Sequence, residues 1–197
     1  MDSVPQKREQ LKGIIQNDGI IFREVTLSSN TKSDFYYDIK TVVNTAPGVV
    51  LIGELVLNMI VKEFPGTESV GGLESGAIPV STAIVYYGNQ LAEGHKLSGF
   101  FVRKQAKKYG LEKMIEGKPK TPMVVVDDVV TTGQSVIDAV DALREAGYSP
   151  SGIISVIDRE DDRKREELKS GVLKYRSLFK HSEFEAFIKK TKRALKN

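Results

Sequence analysis

The chain has 197 residues, of which 40% are hydrophobic and 28% charged, a composition that suits one folded domain and excludes a disordered chain. It contains no cysteine, which excludes disulfide scaffolds and thiol catalysis and fits a reducing compartment, so we expect a cytoplasmic protein. The net charge of +3 includes a basic excess in residues 159–197, but no interleaved aromatic platform accompanies it, so we expect no nucleic-acid partner.

Residues 1–45 predict a small N-terminal lobe that packs on a larger core, residues 46–197, which ends in a C-terminal helix. Residues 1–12 are polar and lack the apolar stretch of a secretory signal. Pro5 fits the first turn of a helix. The elements expected in the lobe are a helix over 6–16, a β-rich segment over 20–27, a polar turn over 28–33 and a second β-rich segment over 35–40.

The first part of the core predicts alternating helices and strands, followed by a basic run. Pro47 opens a long apolar helix that ends near residue 64, because Pro65 and Gly66 cannot continue it. Its apolar stretch is interrupted by Glu54 and Asn58 and is too short to cross a bilayer, so we expect no membrane partner. The next elements are a strand over 69–73, a helix over 78–91, a strand over 97–102 and a run over 103–121 with no clear apolar period.

The second part of the core has the most regular pattern. The expected elements are a strand over 123–126, a helix over 135–146, a strand over 152–157 and a helix over 183–195. Ser182 and Glu185 have the spacing of a capping box for the last helix. Uninterrupted Val/Ile strands that alternate with helices predict an α/β fold of three layers, with a mainly parallel central sheet.

Residues 124–135 carry the chemistry that the sequence predicts. A buried strand ends on Asp127 and Asp128, and ligands bind at the carboxyl edge of such sheets. The Thr/Gly loop that follows runs into a helix N-terminus, where backbone N–H groups and hydroxyls can hold a phosphate. A ribose phosphate fits both the loop and the two aspartates, because its phosphate suits the loop and its hydroxyls suit the carboxylates. The alternative is an ordinary strand end and βα turn with a helix cap.

This segment resembles the phosphoribosyl pyrophosphate (PRPP) signature of type I phosphoribosyltransferases. The resemblance implies the three-layer fold of that family, with residues 1–45 as a hood over the core. It also implies that the glycine-rich residues 71–76, which match neither a P-loop nor a dinucleotide motif, meet the pyrophosphate end of PRPP; a plain tight turn is the alternative. The PRPP-binding residues that it implies here are Asp127, Asp128, Val129, Val130, Thr131, Thr132, Gly133, Gln134 and Ser135.

Residues 101–110, continuing to 115–117, look like the catalytic loop of orotate phosphoribosyltransferases, although a solvated charged loop is the alternative. In that family the loop closes over the substrates. The further PRPP-binding residues implied are Arg103, Lys104, Lys107 and Tyr109. The catalytic residues implied are Lys104, Lys107 and Asp128.

The residues that resemble the orotate contacts of the family are distributed over three parts of the chain. Residues 26–40 resemble the family segment whose backbone, here at Tyr36 and Tyr37, faces orotate. Arg159 falls where the family places an arginine on the orotate ring, and Thr131 matches a further orotate contact. A surface arginine at a helix start is the alternative for Arg159.

The resemblance implies that ribose 5-phosphate moves from PRPP to orotate, giving orotidine 5′-monophosphate and pyrophosphate in pyrimidine biosynthesis. Mg²⁺ is the implied cofactor, carried mainly by PRPP, with no metal site made by the protein alone. A homodimer that shares the catalytic loop between its subunits is the implied assembly. Two alternatives stay open: another type I phosphoribosyltransferase acting on a purine base, and a non-enzymatic regulator that binds PRPP.

The chain departs from the family pattern at three positions. Many bacterial members have lysine where Ser28 and Gly76 stand, and histidine is common where Tyr109 stands, so the geometry around the pyrophosphate is open. His95 and His181 are expected at the surface, since without cysteine they make no zinc site of known spacing.

Overall fold

The first described segment of the chain is helical, as predicted. The computed structural model describes residues 2–26, 32–90, 96–105, 113–161, 166–170 and 173–196. The first helix, α1 (Val4–Ile14), begins at Ser3, whose side chain accepts a hydrogen bond from the Gln6 N–H while the Gln6 side chain accepts one from the Ser3 N–H. Pro5 lies in the first turn, and a π-helical turn, Ile15–Gly19, follows the last one.

Short strands and a small helix complete residues 1–45, the predicted lobe for which we keep the name hood. β1 (Ile20–Ile21) pairs with β4 (Tyr36–Tyr37), and β2 (Val25–Thr26) pairs with β3 (Lys32–Ser33), both antiparallel. The last residues of the second β-rich segment instead begin α2 (Ile39–Val43), a helix that the sequence did not predict. It buries three aliphatic side chains, and tertiary packing of this kind overrides the β-propensity of its residues. The hood boundary at residue 45 stays a prediction.

Two long helices cover one face of the sheet. The predicted apolar helix is α3 (Ala46–Glu63), which begins at Thr45, whose hydroxyl accepts a hydrogen bond from the Gly48 N–H. It packs against α4 (Ala77–Gln90), and the two share buried aliphatic side chains with the hood. No helix among the described residues combines the length and apolarity needed to cross a membrane.

The central sheet has six strands, and five of them run parallel. In chain order they are β5 (Ser69–Leu73), β6 (Ser98–Val102), β7 (Ile115–Gly117), β8 (Met123–Val130), β9 (Pro150–Asp158) and β10 (Lys174–Lys180). Their spatial order is β10, β9, β8, β5, β6 and β7, so β8 lies inside the sheet and β7 is an antiparallel edge strand.

Alternate residues of β8 divide the core between the two faces. Val124 and Val126 pack with α3 and α4, whereas Met123 and Val125 pack with α5 (Gln134–Glu145) on the opposite face. This is the alternation expected of a strand buried on both sides. The three-layer α/β fold with a mainly parallel sheet is therefore confirmed.

The C-terminal part holds two further helices, α6 (Glu166–Lys169) and α7 (Glu185–Lys196). The predicted capping box of Ser182 and Glu185 is wrong. A 3₁₀ turn precedes α7, the Ser182 N–H donates to Glu160, and the Glu185 carboxylate pairs with Lys189 inside the helix.

Three strands differ from the prediction for identifiable reasons. β8 continues through the two aspartates to Val130, because residues 129 and 130 still pair with β9. β7 lies inside the basic run 103–121, and β10 was not predicted; both are edge strands, whose mixed polarity hides the periodicity on which a sequence prediction depends.

Candidate active site

Two aspartates lie near the carboxyl end of β8, and we call them the acidic pair. Asp127 is 7% and Asp128 8% exposed. The Asp128 N–H donates to Asp127 Oδ1 at 3.0 Å, and the Val129 N–H donates to Asp128 Oδ1 at 2.9 Å. The strand that carries the two carboxylates therefore also fixes their orientation.

The loop between β5 and α4 closes over the acidic pair. The Glu74–Ser75 peptide bond in this loop is cis. A Cβ atom on Gly76 would overlap Asp128 Oδ1 and lie 2.9 Å from Asp127 Oδ1. The backbone at Gly76 therefore lies so close to the acidic pair that a side chain at this position would require the carboxylates to shift.

Electrostatics at the acidic pair favour one negative charge over two. Burial and the neighbouring Asp128 carboxylate raise the pKa of Asp127 well above its ordinary value, and the positive charge of Lys40 opposes that rise. A bound cation or hydroxyl donor would therefore be stabilised here.

Lys40 is a site residue that the sequence did not reveal. Its Nζ atom, carried by α2, donates to Asp128 Oδ2 at 3.1 Å and lies 3.9 Å from Asp38 Oδ1. Burial lowers the pKa of Lys40, but the charge of Asp128 and the hydrogen bond to it outweigh burial, and the pKa is raised. No local pattern distinguishes this lysine from the other lysines of the chain, because its partner is 88 residues away in sequence.

Next to the acidic pair, residues 131–135 form what we call the phosphate loop. A pocket of about 150 Å³ opens here. Gly133 has φ +87° and precedes the first residue of α5, whose first turn contains no acidic residue. N–H groups at the start of that helix favour an anion. The structure places every residue of the predicted PRPP segment 127–135 except Asp128 around this one cavity, which is lined by Asp127, Val129, Val130, Thr131, Thr132, Gly133, Gln134 and Ser135.

Arg159 joins the hood to the end of β9. Its N–H donates to the Val130 carbonyl at 2.9 Å, which holds it beside the end of β8. Its guanidinium lies 4.8 Å from the centre of the Phe35 ring and 5.7 Å from that of Tyr37, within cation–π range. The predicted orotate contacts Arg159 and Tyr37 are therefore neighbours, and Tyr36 lies beside them on β4. Phe35 was not predicted to belong to this group.

The expectation that His181 lies at the surface is wrong. Its ring is half-buried, stacks on Phe35 with centroids 5.6 Å apart, and its Nδ1 lies 2.9 Å from the Tyr37 hydroxyl. Burial and the charge of Arg159 lower the pKa of His181, which keeps the ring neutral at pH 7. We call Phe35, Tyr37, Arg159 and His181 the base wall. His95 lies outside the described residues.

The described start of the predicted catalytic loop is tied to the site. The Arg103 N–H donates to the Met114 carbonyl at 2.8 Å, and its guanidinium lies 3.9 Å from Glu116. Lys104 is exposed, and its N–H donates to Glu74 Oε1 at 3.0 Å, which links this loop to the one that covers the acidic pair. Lys107, Tyr109 and Ser28 lie outside the described residues.

The described residues contain no cluster of three or more His, Cys, Asp or Glu side chains that could hold a metal ion. The acidic pair nevertheless offers the hard carboxylate oxygens that Mg²⁺ prefers. Such an ion would need further oxygen ligands from a substrate or from water.

Comparisons with known proteins agree with this geometry. No protein-family model matches the chain. An orotate phosphoribosyltransferase from Bradyrhizobium sp. (strain BTAi1) is 38% identical over 183 residues, which span 90% of this chain and 96% of that protein. The crystal structure of orotate phosphoribosyltransferase from Mycobacterium tuberculosis H37Rv in complex with Fe(III) dicitrate is 32% identical, with a TM-score of 0.75 over 91% of this chain and 99% of that one. Its complex with PRPP is 30% identical, with a TM-score of 0.71 over 89% and 97% of the two chains.

Proposed function

The chain belongs to the orotate phosphoribosyltransferase family, and on that premise we propose that it transfers ribose 5-phosphate from PRPP to orotate, releasing pyrophosphate. One observation carries the proposal: a phosphate loop, an acidic pair and an arginine on an aromatic wall meet at the carboxyl edge of one parallel sheet. A ribose phosphate joined to an anionic base matches that order of groups.

On the sugar-phosphate side, we assign the 5-phosphate to the phosphate loop. Small side chains and the start of α5 leave its N–H groups available to phosphate oxygens. We assign the ribose hydroxyls to Asp127 and Asp128, because the acidic pair adjoins the phosphate loop and its carboxylates accept hydrogen bonds from hydroxyls but repel a second phosphate. Carboxylates placed there would also stabilise positive charge that develops on the ribose in an oxocarbenium-like transition state.

On the base side, we assign the orotate anion to Arg159. Its guanidinium already lies against the Phe35 and Tyr37 rings, so it loses less freedom than a solvent-exposed arginine would when it binds a carboxylate or ring carbonyl. Thr131 adjoins this position from the phosphate loop, since the Arg159 N–H bonds to the residue before it. Orotate N1 can be deprotonated in solution, so we assign no strong protein base to the site, whose main task is to orient the orotate.

The leaving pyrophosphate requires positive charge and exclusion of water. Arg103 and Lys104 lie at the start of the loop that would supply both, with Lys107 and Tyr109 further along the chain.

We also propose a homodimer that shares this loop between its subunits. Mixing inactive Lys104→Ala and Asp128→Ala subunits tests the shared loop. Activity returns only if each loop acts in the neighbouring subunit's site, and activity that stays absent after proven subunit exchange excludes a shared loop.

The cytoplasmic location stays a prediction.

The reaction itself is tested with purified protein, PRPP, Mg²⁺ and orotate. We expect the ultraviolet absorbance of orotate to fall and pyrophosphate to appear in equal amount. We also expect EDTA to stop the reaction, because PRPP would carry Mg²⁺ into the site, where the ion would offset phosphate charge and the acidic pair would help to hold it. Orotate that stays unchanged with fresh PRPP contradicts the proposal, and turnover that survives EDTA contradicts the role of Mg²⁺.

A further inference from the structure

Lys40 occupies a position that the proposed reaction does not yet explain. It lies in α2, on the hood side, and reaches Asp128 at 3.1 Å. Among the ion pairs of the described residues, Lys40 is the only partner of Asp128. The lysine side chain is 37% exposed and that of Asp128 11%, so the pair lies at the rim of the site with its carboxylate turned inward.

The surroundings of Lys40 show why a cation is needed there. The acidic pair stands beside a pocket suited to phosphate, and anions at such short range repel one another. The loop at Gly76 adds only backbone, because a side chain there would overlap Asp128. The positive charge beside Asp128 therefore comes from α2 and not from the loop that covers the pair.

The helix that carries Lys40 is packed into the core. α2 buries its aliphatic residues in the core that the hood shares with α3, and the Thr41 hydroxyl donates to the Asp38 carbonyl at 2.6 Å and lies 2.9 Å from the Asp18 carbonyl oxygen. Lys40 Nζ is hydrogen-bonded to Asp128 and also lies 3.9 Å from Asp38 Oδ1, so a second carboxylate attracts the ammonium group from the same helix end. A restrained ammonium can fix the direction of the Asp128 carboxylate, which a freely moving surface lysine cannot do.

We propose that Lys40 is a positioning residue for PRPP, an inference that rests on the proposed function. Lys40 holds the Asp128 carboxylate toward the ribose hydroxyls, and its positive charge reduces the repulsion between the acidic pair and the phosphates of PRPP. The hood then contributes to sugar-phosphate binding as well as to base binding. A purely structural ion pair would stabilise the fold without favouring one substrate.

The test compares Lys40→Met, Lys40→Arg and the control Lys174→Met. Lys174 is 40% exposed and pairs with Glu63 at 2.9 Å, so it matches Lys40 in exposure and pairing, but it lies at the other end of the sheet. PRPP binding is measured by calorimetry with Mg²⁺, and KM is measured for PRPP and for orotate. We expect Lys40→Met to weaken PRPP binding by about tenfold to a hundredfold, the effect of losing one charge-assisted hydrogen bond.

The same measurements distinguish the alternatives. We expect the orotate KM of Lys40→Met to change much less than the PRPP KM, Lys40→Arg to restore most of the PRPP affinity, and Lys174→Met to bind PRPP like the wild type. A Lys40→Met protein that melts at a lower temperature but binds PRPP normally overturns the proposal, as does equal loss for both substrates. Wild-type protein that binds PRPP but leaves orotate unchanged contradicts the proposed function alone. The effect of Lys40 on PRPP affinity is then still measured by calorimetry.

Discussion

The proposed sugar-phosphate side and the proposed base side of the site are built in different ways. The first comes from one continuous segment, residues 127–135, in which strand, loop and helix start follow directly. The second is assembled from the hood, the end of β9 and the turn before α7. A continuous segment keeps its geometry through local backbone bonds, whereas an assembled wall depends on packing between distant parts. We therefore expect substitutions on the two sides to affect different substrates and different properties.

The largest effect is expected at the acidic pair. Asp128→Asn keeps the volume of the side chain but removes its charge, and with it the ion pair to Lys40 and the stabilisation of a cationic ribose. We expect kcat/KM for PRPP to fall by about a hundredfold to a thousandfold. Asp141→Asn, at an exposed aspartate of α5, is the control and should leave kinetics unchanged. A decrease of less than about threefold for Asp128→Asn would show that the charge has no part in the reaction.

The next effect belongs to the base wall. Arg159→Ala removes the guanidinium that lies over Phe35 and Tyr37, and we expect it to weaken orotate use by about 1.5–3 kcal/mol. The KM for PRPP should change little, because the phosphate loop is untouched. Steady-state kinetics with each substrate varied in turn measures this, with Arg176→Ala on β10 as the control. Equal effects on both substrates would mean that Arg159 only holds the hood against the sheet.

A smaller effect separates backbone strain from ligand binding. Gly133 and Gly147 both have φ near +85°, at +87° and +84°, but only a Cβ on Gly133 meets a neighbour, where it would overlap Leu168 Cδ1. We expect either alanine substitution to cost about 1–2 kcal/mol of unfolding free energy. Thermal melting measures this cost, and PRPP calorimetry should show weaker binding for Gly133→Ala alone. Unchanged PRPP binding in Gly133→Ala would mean that the phosphate loop tolerates a changed backbone.

The smallest effect concerns pH and the base wall. Since burial lowers the pKa of His181, the unfolded chain takes up its proton first as the pH falls below about 6.5. The folded state therefore loses stability from that pH downward until the folded His181 also titrates. His181→Gln should remove this loss, which we expect to be below about 1 kcal/mol because the ring is only half-buried. Melting curves of both proteins between pH 7 and pH 5 compare the slopes, and identical slopes would contradict the role of His181.

The difference between the continuous segment and the assembled wall also explains which site residues could be predicted from the sequence. The strand, the acidic pair and the phosphate loop could be predicted because a buried Val run, two aspartates and a Thr/Gly loop are adjacent in sequence. Lys40 and His181 could not, because their partners Asp128 and Tyr37 are 88 and 144 residues away and no local pattern marks the pairing. The capping box failed at Ser182 for a related reason, since Glu160 from the end of β9 takes its N–H.

The fold shows the same limit at its edges. The inner strands of the sheet were predicted because both faces are buried and their residues are continuously apolar. β7 and β10 were missed because edge strands carry polar residues, and α2 was missed because packing decides its helical state. Prediction from sequence therefore works where local pattern and burial coincide.

The most direct test of the account is the choice of base. Purified protein is given PRPP and Mg²⁺ with equal concentrations of orotate, adenine and hypoxanthine, and the nucleotide products are separated by chromatography. The base wall places an arginine on aromatic rings where the base would lie, which suits an anionic base, so we expect orotidine 5′-monophosphate as the product. Adenosine or inosine monophosphate in place of orotidine monophosphate would contradict the account.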